Sequence, residues 1–338
     1  MKCKQIIFTK KNTAELLDVT LNEPKENEIL VKTTVSTISC GTERANITGN
    51  ANVTPYSKAE MPFPRCLGYS SAGVVVKKGS LIKNVEIGDR VIVYGGFHKE
   101  YNIANENQFV KIEDESVSLE TAAMGYIATF PMAAIRKTRL EMGESAIVMG
   151  LGILGTIAVK LLRLAGAVPI IAADPNPKRR ESALSNGADY AFDPLDKDFA
   201  DKVKAVTNGG VNVAIEVTGV GAGFNEALDC MAKFGRVALL GCTRNSDFTV
   251  DYYSKIHGPG ITVIGAHTMA RPNAESHPGW FTHRDDIKAL FKLCGGKRLC
   301  LENIIEETHS PVDCSEVYNR LIFDKEFPIG VQFDWRRL

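Results

Sequence analysis

Polar and apolar positions alternate with a period of two over short runs near the start of the chain, at residues 5–8, 28–36, 71–77, 90–94 and 100–103. That period puts one set of side chains on one face, and turn residues bound each run, so the pattern up to about residue 120 predicts an all-β region. From about residue 144 the rhythm changes. Apolar runs at 146–149, 168–173, 190–192, 213–217, 236–240 and 262–264 alternate with helical patterns, which calls for a parallel sheet covered by helices on both faces. Beyond Gly265 the alternation stops. Helices are predicted at 284–293 and 314–323 and a last strand at 330–335, with a loop at 270–282 that carries prolines and His277. The fold class is therefore α/β, with a β-rich first domain at 1–126, a doubly wound domain at 127–267, and a tail at 268–338 that rejoins the first.

Composition narrows the class of partner. Lys+Arg and Asp+Glu balance at 40 each, so the chain has no electrostatic pull on nucleic acid. No run of about 18 apolar residues offers a membrane span, and the N-terminus lacks the apolar core of a signal peptide. The reading expects a cytoplasmic protein acting on a small molecule. The eight cysteines are scattered, with no Cys-x-x-Cys pair, and read as reduced thiols; all except Cys40 are expected as small buried hydrophobes.

The strand at 146–149 runs directly into Gly150-Leu151-Gly152-Ile153-Leu154-Gly155 and then into an apolar helix. Strand, glycine turn and helix in that order form a dinucleotide cradle. Gly150 makes the tight turn, Gly152 lets backbone approach a pyrophosphate, Gly155 lets helix pack on strand, and the helix N-terminus faces the anion. Asp174 ends the next strand at the spacing where a carboxylate accepts the ribose hydroxyls, which favours NAD over NADP although Lys178, Arg179 and Arg180 follow. Val217-Thr218 and Gly241-Cys242 close later strands at the carboxyl edge, where ligands sit in open α/β sheets.

Five ordered motifs span most of the chain: Cys40-Gly41-Thr42-Glu43, Gly68-Tyr69-Ser70-Ser71-Ala72-Gly73, Gly88-Asp89-Arg90-Val91, the glycine turn, and Gly235-Arg236-Val237. Together they resemble the medium-chain dehydrogenase/reductase family, which includes the zinc alcohol and polyol dehydrogenases. The resemblance implies a GroES-like catalytic domain built from both chain ends, with a Rossmann domain inserted. Zinc members hold the metal through a Cys where Cys40 stands, a His and a Glu where Tyr69 and Ser70 stand, and a further ligand where Gly125 stands. Only Cys40 matches, so no catalytic zinc is expected. The alternative is a relocated site of Cys40, Glu43 and His98, against the reading of His98 as a half-exposed strand residue. The four-cysteine structural zinc loop is also missing. A narrower likeness, through Cys40 to Arg44, Gly68 to Ser70 and the loop 276–282, is to the dehydrogenase-like half of two-domain oxidoreductases of sugar and polysaccharide biosynthesis.

Without zinc, hydrogen-bond donors must stabilise the alkoxide. Thr42 matches the family's relay hydroxyl. Tyr69 takes the histidine position and can donate to the oxygen or, with a depressed pKa, act as base. Glu43 is a support residue expected to pair with Arg44 or another cation. Thr129 stands where the family supplies a hydroxyl near the nicotinamide, Arg179 where a basic residue packs by the adenosine, and Ala266 and His267 where backbone meets the carboxamide. The expected function is an NAD-dependent, zinc-independent interconversion of a secondary alcohol and a ketone on a polyol or sugar-like compound. Two other readings are a quinone or enoyl reductase using NAD(P)H, and a non-catalytic NAD-binding sensor or structural protein. The resemblance also implies a homodimer or homotetramer.

Overall fold

The computed structural model describes residues 1–50, 53 and 61–338. Two compact units divide the chain: Met1–Ile127 with Ile287–Leu338, and Ala128–Asp286.

The first unit begins with strands β1 (Lys2–Lys10) and β2 (Thr13–Thr20), an antiparallel pair. Strand β3 (Glu28–Thr37) leads into helix α1 (Cys40–Ile47), followed by β4 (Ser70–Lys78), β5 (Arg90–Tyr94), β6 (Tyr101–Asn105) and β7 (Phe109–Lys111). Short helix α2 (Leu119–Ala122) precedes α3 (Gly125–Thr138), within which the chain passes to the second unit. The alternation does not predict β2. Only Ala14 of its eight residues is buried, so the strand lacks the apolar run that marks a core strand.

In the second unit six parallel strands follow: β8 (Ala146–Met149), β9 (Ile170–Ala173), β10 (Tyr190–Phe192), β11 (Val211–Glu216), β12 (Met231–Leu239) and β13 (Thr262–Gly265). Helices α4 (Ile153–Ala165), α5 (Pro177–Ser185), α6 (Phe199–Thr207) and α7 (Gly221–Asp229) connect the first five. The strand order β10-β9-β8-β11-β12-β13 reverses direction beside β8, which makes the end of β8 the switch point of a doubly wound sheet. Ile147, Ile171, Ala214 and Val237 are buried in its core, the pattern of strands covered on both faces.

Helix α8 (His283–Gly295) returns the chain to the first unit, which ends with β14 (Ile305–His309), α9 (Cys314–Phe323) and β15 (Gly330–Asp334). The sheet there runs β14-β15-β3-β4-β5-β7, with β6 paired to β3. Alternate residues of its strands enter two clusters, Val31, Val75 and Val91 in one and Val35, Ala72 and Ile92 in the other. The boundary near the C-terminus lies at 286/287 rather than at the expected 267/268. Residues 268–286 stay with the second unit because side chains bind them there. Arg271 pairs with Asp286 at 3.1 Å and donates to the Thr129 carbonyl at 2.9 Å, while Lys137 donates to the carbonyls of Gly265 and Ala270. Residues 270–282 lie in turns and bends, with one bridge between His277 and Trp280.

No helix among the described residues is long and apolar enough to cross a membrane. The eight cysteines are free, but Cys242 and Cys300 are exposed, against the expectation of burial. Both lie in loops, Cys242 after β12 and Cys300 after α8, off the buried faces of the strands and helices.

Candidate active site

Helix α1 carries the motif Cys40-Gly41-Thr42-Glu43. Its N-cap is Ser39, whose hydroxyl makes no capping bond; instead the Glu43 carboxylate turns back and accepts the Ser39 backbone N–H at 2.9 Å. Carboxylate capping of a helix start satisfies an orphan donor and leaves the Ser39 hydroxyl available to other partners. Tyr69, just before β4, donates its phenol to that hydroxyl and lies 3.5 Å from the Thr42 hydroxyl. Tyr69, Ser39 and Thr42 thus form a cluster of three hydroxyls. Burial, against the hydrogen bonds the phenol makes to Ser39 and Thr42, pushes Tyr69 well above its ordinary pKa. The phenol stays protonated near neutral pH and is a donor, so the expectation that it could serve as a base is corrected. Tyr126 packs edge-on against the Tyr69 ring at 5.5 Å and stacks on Tyr94 at 5.3 Å.

Glu43 does not pair with Arg44, whose guanidinium donates to the Leu321 carbonyl. The carboxylate is fully buried and faces His98 Nε2 at 3.2 Å, and it accepts the Tyr318 hydroxyl at 2.5 Å. His98 is accordingly no half-exposed strand residue. It is 1% exposed, in the bend before β6, because Glu43 and Ser36 supply buried partners for both ring nitrogens.

The zinc positions of the family can be tested residue by residue. The Cys40 thiol points to the carbonyls of Ile38 and Ile329 at 3.9 and 3.8 Å. Ser70 donates its hydroxyl to the Ala123 carbonyl at 2.6 Å. A side chain at Gly125 would begin 3.0 Å from Ile92 Cδ1 and 3.1 Å from Phe291 Cε1, so packing fills the place of a further ligand. Among the described residues no group of three His, Cys, Asp or Glu side chains could hold a metal, the trio Cys40, Glu43 and His98 included. A catalytic zinc needs about three protein ligands, and these residues do not supply them.

The second unit holds the glycine turn. Gly152 caps α4, and Ile153 and Leu154 form its first turn. A Cβ at Gly155 would sit 1.9 Å from the Gly150 carbonyl oxygen, so only glycine allows the helix to approach the strand this closely. Asp174 is buried at the end of β9. One carboxylate oxygen accepts the Leu151 N–H at 2.8 Å and the other the Asn176 N–H at 2.9 Å, which aims the group at the turn and leaves a lone pair on each oxygen. The Arg179 guanidinium lies 3.8 Å from the same carboxylate. Arg180 is tied to Asp193 and to the carbonyls of Asp174 and Pro175.

Glu216, which the sequence places in the cofactor-lining loop with Val217 and Thr218 without a role of its own, organises that loop. Buried at the end of β11, it accepts the Thr218 hydroxyl and the N–H groups of Thr218 and Gly219, while burial raises its pKa. Its backbone carbonyl accepts the Gly241 N–H at 2.8 Å, which ties Val217-Thr218 to Gly241-Cys242. Thr129 sits fully buried against His283 Nδ1 at 2.9 Å; burial, then the charge of Arg271, pushes the His283 imidazole down to about 3. Ala266 is buried after β13, and His267 accepts the Met269 N–H through Nδ1 at 3.2 Å.

Two family models match, the alcohol dehydrogenase GroES-like domain over residues 25–130 and the zinc-binding dehydrogenase domain over residues 154–277. The chain belongs to the medium-chain, zinc-type alcohol and polyol dehydrogenase-like family. Among relatives in this family, it is 27% identical over 280 residues to L-threonine 3-dehydrogenase of Pyrococcus horikoshii, covering 75% of this chain and 79% of that one. It is 25% identical over 273 residues to D-guloside 3-dehydrogenase of Escherichia coli, covering 79% and 77%. The fold matches benzyl alcohol dehydrogenase of Acinetobacter calcoaceticus with a TM-score of 0.85 at 19% identity, covering 99% of both chains. The family is one of oxidoreductases acting on alcohols and polyols.

Proposed function

We propose that the protein is an NAD-dependent, zinc-independent oxidoreductase that interconverts a secondary alcohol and a ketone on a polyol or sugar-like compound. The observation that carries this reading is the cluster of Tyr69, Ser39 and Thr42 hydroxyls, with Tyr69 standing where zinc members of the family place a metal-binding histidine. The names of its relatives, a threonine 3-dehydrogenase and a guloside 3-dehydrogenase, support alcohol oxidation and a hydroxylated substrate.

NAD, when bound, supplies the hydride acceptor. Gly150, Gly152 and Gly155, with the first turn of α4 at Ile153 and Leu154, would hold its pyrophosphate. Asp174 would accept the adenosine ribose hydroxyls, Arg179 would cover the adenosine, and Val217, Thr218, Gly241 and Cys242 would line the cofactor. Thr129, Ala266 and His267 would meet the nicotinamide end. The Tyr69 phenol, kept protonated by burial, would turn its single proton from the Ser39 hydroxyl to the substrate oxygen as charge develops there. Thr42 passes the alcohol proton outward. Cys40 opens α1 with its thiol toward the carbonyls of Ile38 and Ile329, and Glu43 holds the helix start in place.

A homo-oligomer through the open edge of the second unit's sheet fits the exposure of Phe234, Tyr252, Tyr253 and Val263 on and around β13.

The test pairs a fluorescence titration with NADH and NADPH with a screen of polyols, butanediols and sugar glycosides for NAD reduction. The reading expects NADH to bind about tenfold or more tighter than NADPH, and turnover with a secondary alcohol. Tighter NADPH binding moves the protein to quinone or enoyl reduction. NADH binding with no turnover across a broad panel favours a non-catalytic role.

A further inference from the structure

Behind the hydroxyl cluster lies a buried network whose members come from distant parts of the chain. His98 is its centre. Nε2 faces the Glu43 carboxylate at 3.2 and 3.3 Å, and Nδ1 lies 2.7 Å from the Ser36 hydroxyl. That hydroxyl also accepts Trp335 Nε1–H at 2.9 Å. Since the indole can only donate, the Ser36 proton is available to Nδ1, and a single proton on His98 Nε2 toward Glu43 satisfies every partner.

The same ring supports the segment that leads through Tyr69 into β4. Gly68, at φ +108°, lies so close to His98 that a Cβ would begin 2.2 Å from its backbone nitrogen and 2.4 and 2.6 Å from the ring atoms Cγ and Cδ2. The His98 N–H donates to the Leu67 carbonyl at 2.7 Å, and Phe333 packs edge-on at 5.4 Å. One side of His98 therefore sets the backbone of residues 67 and 68, and so the entry of Tyr69. The other side sets Glu43, which holds the Ser39 N–H and the first turn of α1, where Thr42 lies.

We infer that His98 is the positioning residue of this site: by bracing Gly68 on one face and Glu43 through Nε2, it fixes the Tyr69 phenol against Ser39 and Thr42. It touches neither substrate nor cofactor in this scheme. The inference rests on the reading of Tyr69 as the oxygen-binding donor, but its geometry can be tested without a substrate.

The experiment uses the full chain labelled with tyrosine carrying carbon-13 at Cζ, with the Tyr69 resonance identified by its loss in Tyr69→Phe. In His98→Phe, an apolar ring of similar size, the Tyr69 resonance is expected to move toward that of a solvated tyrosine while NADH affinity and far-ultraviolet circular dichroism stay at the wild-type level. Ser36→Ala, which removes the partner of Nδ1 and of Trp335 Nε1 but leaves the ring against Gly68 and Glu43, is expected to move the resonance in the same direction by a smaller amount, and it decides the question if His98→Phe does not fold. With an identified substrate, His98→Phe is expected to lower kcat about 10- to 100-fold with little change in KM, the mark of lost orientation. An unchanged Tyr69 resonance in a folded variant overturns the positioning role. Failure of NADH binding in the wild type would instead sink the dehydrogenase reading and leave the resonance measurement standing.

Discussion

Replacing Glu43 with glutamine tests the buried network at its most charged member. The carboxylate accepts Ser39 N–H at 2.9 Å, faces His98 Nε2 at 3.2 Å and accepts Tyr318 O–H at 2.5 Å, all out of contact with water. An amide of the same shape keeps one acceptor oxygen and presents a donor where the second stood, so at least one of those donors then faces an N–H. A hydrogen bond to a charged group contributes about 1.5–3 kcal/mol, and a buried donor left without its acceptor costs about 1–3 kcal/mol. Glu43→Gln should therefore destabilise the first unit by about 3–4 kcal/mol, discounting the bond the amide oxygen retains. With a urea slope of about 2 kcal/mol/M, the unfolding midpoint falls by about 1.5–2 M. Trp335 reports this unit directly, since its Nε1 donates to Ser36. The chain has two tryptophans, so the Trp280→Phe background leaves Trp335 as the only indole reporter. A midpoint drop under about 0.5 M would refute the assignment of Glu43 as the centre of a satisfied buried network.

Asp174→Ser should weaken NADH about 10- to 100-fold, through lost charge-assisted bonds to the ribose, and weaken NADPH less; equal loss of both in a fluorescence titration would count against Asp174 as the ribose acceptor. Gly155→Ala puts a Cβ 1.9 Å from the Gly150 oxygen, so NADH binding should be lost while helical circular dichroism is kept; wild-type affinity would contradict the close-packed cradle. Tyr69→Phe should reduce kcat by about 10²-fold or more with intact NADH binding, and a rate near wild type would remove the phenol from the chemistry. Lys137 is buried, which lowers its pKa from 10.5 to about 8, so between those values the unfolded chain binds the proton that the folded chain has lost. Stability relative to Lys137→Met should thus rise as pH increases through that window, and a thermal-melt difference flat with pH would contradict it.

Legibility in the sequence followed the range of the interactions. The strand, glycine turn and helix at 146–165, the Asp174 spacing, and the six parallel strands are local patterns, and each parallel strand buried on both faces leaves an apolar run. Strand β2 left none, because it exposes most of its side chains. His98 gave no signal beside Lys99, since its partners Ser36, Glu43, Phe333 and the neighbour of Ser36, Trp335, are brought to it only by the closed fold. The same reason hid Glu43's true partners and the Ser39 hydroxyl as the acceptor of the Tyr69 phenol. Glu216 stands at the end of a strand like many a surface carboxylate, and only its burial against the Thr218-Gly219 backbone shows its role in the loop. The segment 268–286 looked like the start of the tail by its loss of rhythm, whereas its allegiance is set by Arg271, Lys137 and Asp286.

The central claim is that hydroxyl donors stand in for the catalytic metal, and the zinc content of protein purified from zinc-replete cells tests it most directly. The account predicts far less than one zinc per chain in protein that oxidises a secondary alcohol with NAD. About one tightly held zinc per chain, lost together with activity on chelation, would contradict it.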